Sequence, residues 1–320
     1  MSQKPVVYWF LSILILLSAC NGKVQQTSST KPVIKIGYLP ITHAAPLFLD
    51  SYTNEGDDRT YEVELIKFNS WPDLMDALNA GRIDGASVLI QLAMKAKEKG
   101  IDLKAVALGH QDGNVLISSK DIKTVKDLQG ETFAIPHTYS THHLLLNELI
   151  LQEGLTYDDV NIVELPPAEM PAALAEERIA GYVVAEPFGA LAINLDVGKV
   201  LAFSESFWPN SYCCVLVLRG DFMEENADVA NVFMNHYVDA GKRAHKKEKD
   251  LYDALNQFMN VDQEVLDLSL EWISFDSLRI EEAEYNKLRN RVIQLQLMES
   301  PPPYEEFVDN SLIDGGNDDD

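Results

Sequence analysis

The sequence predicts an exported α/β protein built on parallel sheet, and three observations predict it. From Pro32 to about Leu218, short apolar runs of strand length alternate with amphipathic stretches of helical period. Glycines fall where several of the helical stretches end, at Gly81, Gly100 and Gly154. Ahead of this region, residues 1–20 have the three parts of a leader: a start carrying Lys4, an apolar run over 6–17, and small residues before a cleavage point.

The elements follow in order. The leader's apolar run has about 12 residues, short of the roughly 20 that a spanning helix needs. It ends in Leu17-Ser18-Ala19-Cys20, which resembles a lipobox. Cleavage before Cys20 and acylation of its thiol are therefore expected, with an ordinary leader and a chance cysteine as the alternative. Residues 21–32 are polar and aperiodic and read as a flexible tether. Strands are expected at 33–38, 61–68, 83–88 and 103–108, with helices at 43–50, 71–81 and 89–99 between them. Ser70 is the expected N-cap of the second helix. An apolar stretch at 115–118 is followed by a polar one ending at Gly130, and then by a second α/β run: strands at 132–135, 160–165, 181–185, 199–203 and 213–218, and helices at 141–153, 168–177 and 187–195. From Arg219 to about Met298 the chain reads as almost wholly helical. Pro301-Pro302-Pro303 breaks that pattern, and 311–320 is an acidic tail.

Composition bounds the function. A mature chain of about 300 residues suffices for two domains, and 46% hydrophobic residues for a full core. After Cys20 only Cys213 and Cys214 remain, adjacent in sequence, so there is no disulfide framework. A formal net charge of -24 argues against nucleic acid and against general attraction to anionic lipid. An anionic ligand would need local positive potential inside a cleft. No nucleophile elbow, P-loop, zinc-protease helix, Cys-x-x-Cys or dinucleotide fingerprint is present, which argues against the common enzyme classes.

Ligands of open α/β sheets bind beyond the carboxyl ends of the strands. The loops there hold Thr42-His43, Ser70-Trp71, Ser87, His110, the run from His137 through Tyr139, Ser140, Thr141 and His142 to His143, and Glu186. Five of the seven histidines lie in them. One loop histidine is ordinarily solvated or capping; five together point to a shared polar cleft. Ser140 and Thr141 precede a helix whose free N–H groups favour an anion, and Ser70 repeats that arrangement. Trp71 either stacks on a ligand or packs at a helix start. Glu186 binds a cationic group, pairs with a histidine, or is solvated. Cys213 and Cys214 lie in an apolar strand-like run, so at least one is expected to be a buried small hydrophobe. A thiophilic metal site shared with the histidines is the other reading, and no residue is assigned to a metal or cofactor.

The order of these residues resembles that of ABC-importer solute-binding proteins of the nitrate/sulfonate/taurine/bicarbonate, NMT1-like group. The resemblance rests on residues 36–47 (IGYLPITHAAPL), on Phe68-Asn69-Ser70-Trp71-Pro72-Asp73-Leu74 with Ala77-Leu78, Gly81 and 83–86, on 126–136 (KDLQGETFAIP), on 181–188 (GYVVAEPF), on 213–217 (CCVLV) and on 307–311 (FVDNS). It implies a type II, two-lobed periplasmic-binding-protein fold, with lobe 1 at 33–117 and 213–310, lobe 2 at 118–212, and crossovers near 115–119 and 212–215. It implies a non-enzymatic, lipid-anchored envelope protein that passes a small solute to a permease and ATPase. The first expectation for that solute is a sulfonate, nitrate or bicarbonate anion. A heteroaromatic or metal-containing ligand is the rival within binding proteins. A pyrimidine-precursor synthase on the same fold is the rival from another class, although Cys213-Cys214 does not reproduce that branch's cysteine-rich iron motif. The segment 50–60 (DSYTNEGDDRT) is shorter and more polar than the group's usual helix and turn.

Overall fold

A computed structural model describes residues 31–53 and 59–314. The leader, Cys20, nearly all of the expected tether and the last six residues lie outside the described residues. Within them, strands form where the apolar runs are. These are β1 (Val33–Tyr38), β2 (Glu62–Lys67), β3 (Gly85–Leu89), β4 (Leu103–Leu108), β5 (Gln111–Asp112), β6 (Asn114–Ser118), β7 (Thr132–Ile135), β8 (Asn161–Glu164), β9 (Gly181–Ala185), β10 (Lys199–Phe203), β11 (Cys214–Arg219) and β12 (Ile273–Ser274). Two five-stranded sheets result, ordered β2-β1-β3-β11-β4 and β10-β6-β9-β7-β8, with a small ribbon of β12 and β5.

The sheets are mixed, a departure from the wholly parallel reading. β1 pairs in parallel with β2 and β3, and β7 with β8 and β9. β11 runs antiparallel to β3 and β4, and β6 antiparallel to β9 and β10. A parallel neighbour needs a crossover that carries the chain back to the starting end of the strand. The chain instead leaves β4 at its carboxyl end, builds the second sheet, and returns from that same side as β11. The first passage falls between Leu108 and Asn114, ahead of the 115–119 expected, because β6 already pairs within the second sheet. The ribbon of β5 and β12 was invisible as strand signal: two residues are too few to show a period.

β3 and β9 are buried at every residue, as strands covered on both faces require. Gly85 sits where a Cβ would lie 2.5 Å from the Val217 carbonyl, so only glycine lets β3 and β11 close up here. In the second sheet the two-residue side-chain period divides the core in two. Val115, Ile117, Tyr182 and Val184 pack on one face, and Leu116, Phe133, Ile135 and Val183 on the other. The first sheet belongs to a larger core that takes in Phe48, Phe233 and Tyr237 from the surrounding helices.

Helix starts follow their caps. Ser70 Oγ accepts from the Asp73 N–H at 3.3 Å ahead of the helix Trp71–Asn79, and Ser140 Oγ from the His143 N–H at 3.1 Å ahead of Thr141–Gln152. After β11 the chain is helical except around β12, through Ala227–His245, Lys249–Met259, Gln263–Glu271 and Glu282–Gln294. Ser311–Asp314 is a further helical turn rather than tail, and Asp314 pairs with Arg279 at 3.1 Å. Among the described residues, no helix is long and apolar enough to cross a membrane.

Candidate functional site

The carboxyl ends of β1 and β4 and the start of β11 meet at one buried cluster. His43 follows β1 in a turn of 3-10 helix, His110 follows β4, and Cys213-Cys214 lead into β11. Gly109 makes the approach feasible: a Cβ there would lie 2.5 Å from the His43 carbonyl. One ligand atom from each of His43, His110, Cys213 and Cys214 lies within 4.8 Å of all the others, and all four side chains are at most 1% exposed. The two sulfurs are 3.8 Å apart, Cys214 Sγ is 3.6 Å from His43 Nδ1, and the ring centres of His43 and His110 are 3.6 Å apart with the planes tilted by 36°.

These separations fit one geometry. A tetrahedral zinc ion with Zn–S of about 2.3 Å and Zn–N of about 2.05 Å sets ligand atoms about 3.8 Å apart for two sulfurs and about 3.6 Å for sulfur and nitrogen. His43 Nε2 lies 3.1 Å from the Gly113 carbonyl, which only accepts, so Nε2 donates and Nδ1 presents its lone pair to the cluster. Neither ring nitrogen of His110 has a hydrogen-bond partner. Thiolate and imidazole together suit zinc and its neighbours, not hard cations.

The electrostatics agree with a cationic guest. Burial, then the charge of His43, lowers the His110 pKa to about 4, and burial, then His43, takes His142 to about 3. Burial pushes the Cys213 thiol up. Burial also acts on Cys214, but the Cys213 thiol and the imidazoles of His110 and His43 hold that thiol below its ordinary value. With their pKa values held down by burial, His110 and His142 supply little positive potential for an anion.

The five loop histidines therefore divide. His43, His110 and His142 gather at the cysteines, with His142 Nε2 3.8 Å from Cys213 Sγ. His137 and His143 serve their own loop: His137 Nδ1 accepts from the Tyr139 N–H at 2.9 Å, and His143 Nδ1 donates to the Thr138 carbonyl at 2.8 Å. Tyr139 stacks on His137, with Lys95 Nζ 5.4 Å from its ring centre. Trp71 is 2% exposed and packs in the first-sheet core. It also borders a shallow cavity with Ser70, His137 and Glu164, whose lining includes no cluster residue.

Thr42, Thr141 and Glu186 join the two sheets. Thr42 donates through N and Oγ1 to the Glu186 carbonyl, at 2.9 and 3.1 Å. Thr141 Oγ1 donates to the Tyr212 carbonyl and accepts from Gln91 at 2.6 Å. The Glu186 carboxylate accepts from the Ala190 N–H at 3.0 Å rather than pairing with a histidine. Burial raises its pKa to about 8 against the hydrogen bonds from Ala190 and Gly189. Ser87 Oγ, Gln91 Oε1, His142 Nδ1 and Glu186 Oε1 are buried without hydrogen-bond partners. In the sequence, Cys213 and Cys214 enter as site residues only through the alternative metal reading, His142 only as one member of the loop run, and Gln91 not at all. The available signal was the pairing of two adjacent cysteines with histidines in strand-end loops.

Known proteins place this architecture. The profile of the NMT1-like family matches residues 27–254. A ligand-binding component of an ABC-type import system from Staphylococcus aureus, solved with zinc bound, is 45% identical over 89% of this chain and 99% of its own, with a TM-score of 0.85. The periplasmic nitrate-binding protein NrtA of Synechocystis PCC 6803 shares the fold at 16% identity and a TM-score of 0.79, covering 90% of this chain and 88% of its own. The nitrate/nitrite binding protein NrtA of Nostoc sp. PCC 7120 is 26% identical over 72% of this chain and 57% of its own length. The chain spans between 32% and 57% of the first curated relatives it matches. The Staphylococcus aureus relative is a binding component of an importer and the two NrtA proteins are binding proteins, not synthases, and the fold is the two-lobed one of periplasmic binding proteins. With a profile that spans well over half of its residues, the chain belongs to the NMT1-like family.

Proposed function

We propose that this protein is the extracytoplasmic solute-binding component of an ABC importer and that its solute is a thiophilic divalent cation of the zinc class. The ion is held by His43, His110, Cys213 and Cys214 and passed to a permease driven by an ATPase. The observation that carries this reading is the buried two-histidine, two-cysteine cluster with two ligand separations at tetrahedral values. The zinc in the 45% identical Staphylococcus aureus protein supports it. Anchoring through an acylated Cys20 completes the proposal and rests on the Leu17-Ser18-Ala19-Cys20 sequence alone.

The importer's cargo is the ion itself, so the site must bind reversibly. The anion reading would use the cavity beside Ser70, Trp71 and His137. Its walls include the Glu164 carboxylate, and burial lowers the pKa of His137, so that cavity offers an anion little attraction. Calorimetric titration of metal-free protein with zinc, nitrate, taurine and bicarbonate tests the choice. One equivalent of zinc should bind, with that binding abolished in Cys213→Ser/Cys214→Ser. Binding of an anion with no zinc heat would overturn the metal reading.

A further inference from the structure

The four clustered ligands all belong to the first sheet: His43 and His110 follow β1 and β4, Cys213 precedes β11 and Cys214 opens it. An ion held by these four alone would touch one half of the molecule, and its arrival would do little to bring the two sheets together. His142 differs. It lies in the first turn of the helix Thr141–Gln152, which connects β7 to β8 in the second sheet. Its Nε2 is 3.8 Å from Cys213 Sγ, close to the roughly 3.6 Å that separates sulfur and nitrogen on one tetrahedral zinc ion. Its ring is 1% exposed, and its Nδ1 has no partner. A buried imidazole with no bond at one nitrogen and a thiol sulfur near the other has no evident structural task.

We propose that His142 is an exchangeable fifth ligand, contributed by the second sheet, which joins the bound ion and couples its occupancy to closure of the two lobes. This rests on the metal reading above. Zinc sometimes expands from four to five ligands, so His142 can add without displacing His110. When the lobes part, the Nε2–metal bond is lost and the lone pair stays on the nitrogen. The neighbouring contacts between sheets are arranged to part in the same motion: Gln91 to Thr141, Thr141 to the Tyr212 carbonyl, and Thr42 to the Glu186 carbonyl. Burial of every ligand makes such a motion necessary, since an ion here cannot leave without it. A hinged receptor needs a ligand that binds its closed form better than its open one. His142 supplies that difference.

The test compares wild type, His142→Ala, His142→Asn and His110→Ala, each stripped of metal. Each is titrated with cobalt(II), followed by its thiolate-to-metal absorption, and then examined by small-angle scattering with and without zinc. Wild type should bind one equivalent and contract. Both His142 variants should keep one equivalent and the thiolate bands, bind tenfold or more weakly, and fail to contract. The asparagine variant keeps a polar side chain and guards against a folding failure of the alanine one. His110→Ala should lose most binding. His142 variants that contract and bind as wild type does would overturn the inference and leave the metal reading intact. Complete loss of binding in them would also overturn it, by making His142 an obligatory ligand. A wild type that binds metal without contracting removes the coupling, and one that binds no metal removes the metal reading and this inference with it.

Discussion

Replacing Glu186 by glutamine should stabilise the protein, by an amount that depends on pH. The carboxyl group is fully buried, its Oε2 accepts from the Ala190 N–H, its Oε1 has no partner, and burial lifts its pKa from near 4.5 to about 8. Between those two values the folded state holds a proton that the unfolded state has lost. Stability therefore falls as pH rises through this window, by about 1.4 kcal/mol per unit. At pH 7 the accumulated cost is about 3 kcal/mol, and below about pH 4.5 it vanishes. Glutamine resembles the protonated side chain in shape and does not titrate, so Glu186→Gln removes the cost. Urea unfolding of metal-free protein, followed by tryptophan fluorescence at pH 5, 6, 7 and 8, measures it. The variant should match wild type most closely at pH 5 and exceed it by about 3 kcal/mol at pH 7. A difference that is flat with pH, or that favours wild type at pH 8, would refute a neutral buried Glu186.

Three further outcomes follow from the same structure. His110 and His142 have folded pKa values of about 4 and about 3, so the unfolded state binds protons first below about pH 6.5. Their contribution is present above that value and is lost as pH falls, opposite in sign to Glu186. The urea midpoint of metal-free Glu186→Gln should therefore drop between pH 6.5 and 5. Zinc at a hundredfold excess over its dissociation constant should add about 2.7 kcal/mol. Over the roughly 290 residues of the compact unit Pro32–Asp320, that is a rise of about 4 °C in Tm by calorimetry, which nitrate and taurine should not reproduce. Ser70→Ala should cost about 1 kcal/mol in urea unfolding through the lost helix cap and leave zinc affinity unchanged, because Ser70 lies outside the cluster.

Much of the scaffold was legible because its signals are local. Apolar runs such as 103–108 and 132–135 became strands β4 and β7, and Ser70 and Ser140 cap the helices that follow them. Gly81, Gly100 and Gly154 take positive φ at the helix ends where they were expected. Strand direction was less legible, because the antiparallel entry of β11 depends on where the chain has been, not on Cys214–Arg219 itself. The site was legible in part. Strand-end loops named His43 and His110, but nothing local says that Cys213 and Cys214, some 170 residues from His43, arrive beside them. Five loop histidines also look alike in sequence. The fold separates the three that reach the cysteines from His137 and His143, whose hydrogen bonds stay within their own loop. The buried cysteines were read rightly as buried, yet burial as small hydrophobes understated them, since two imidazoles accompany them.

The central claim is that this protein carries a zinc-class ion on two sulfurs and two or three imidazoles. X-ray absorption at the zinc edge, on protein loaded with one equivalent and dialysed, reads that shell directly. The account predicts two sulfur scatterers at about 2.3 Å and imidazole nitrogens at about 2.0–2.1 Å, with the sulfur shell lost in Cys213→Ser/Cys214→Ser. A shell of oxygen and nitrogen alone in the wild-type protein would contradict it.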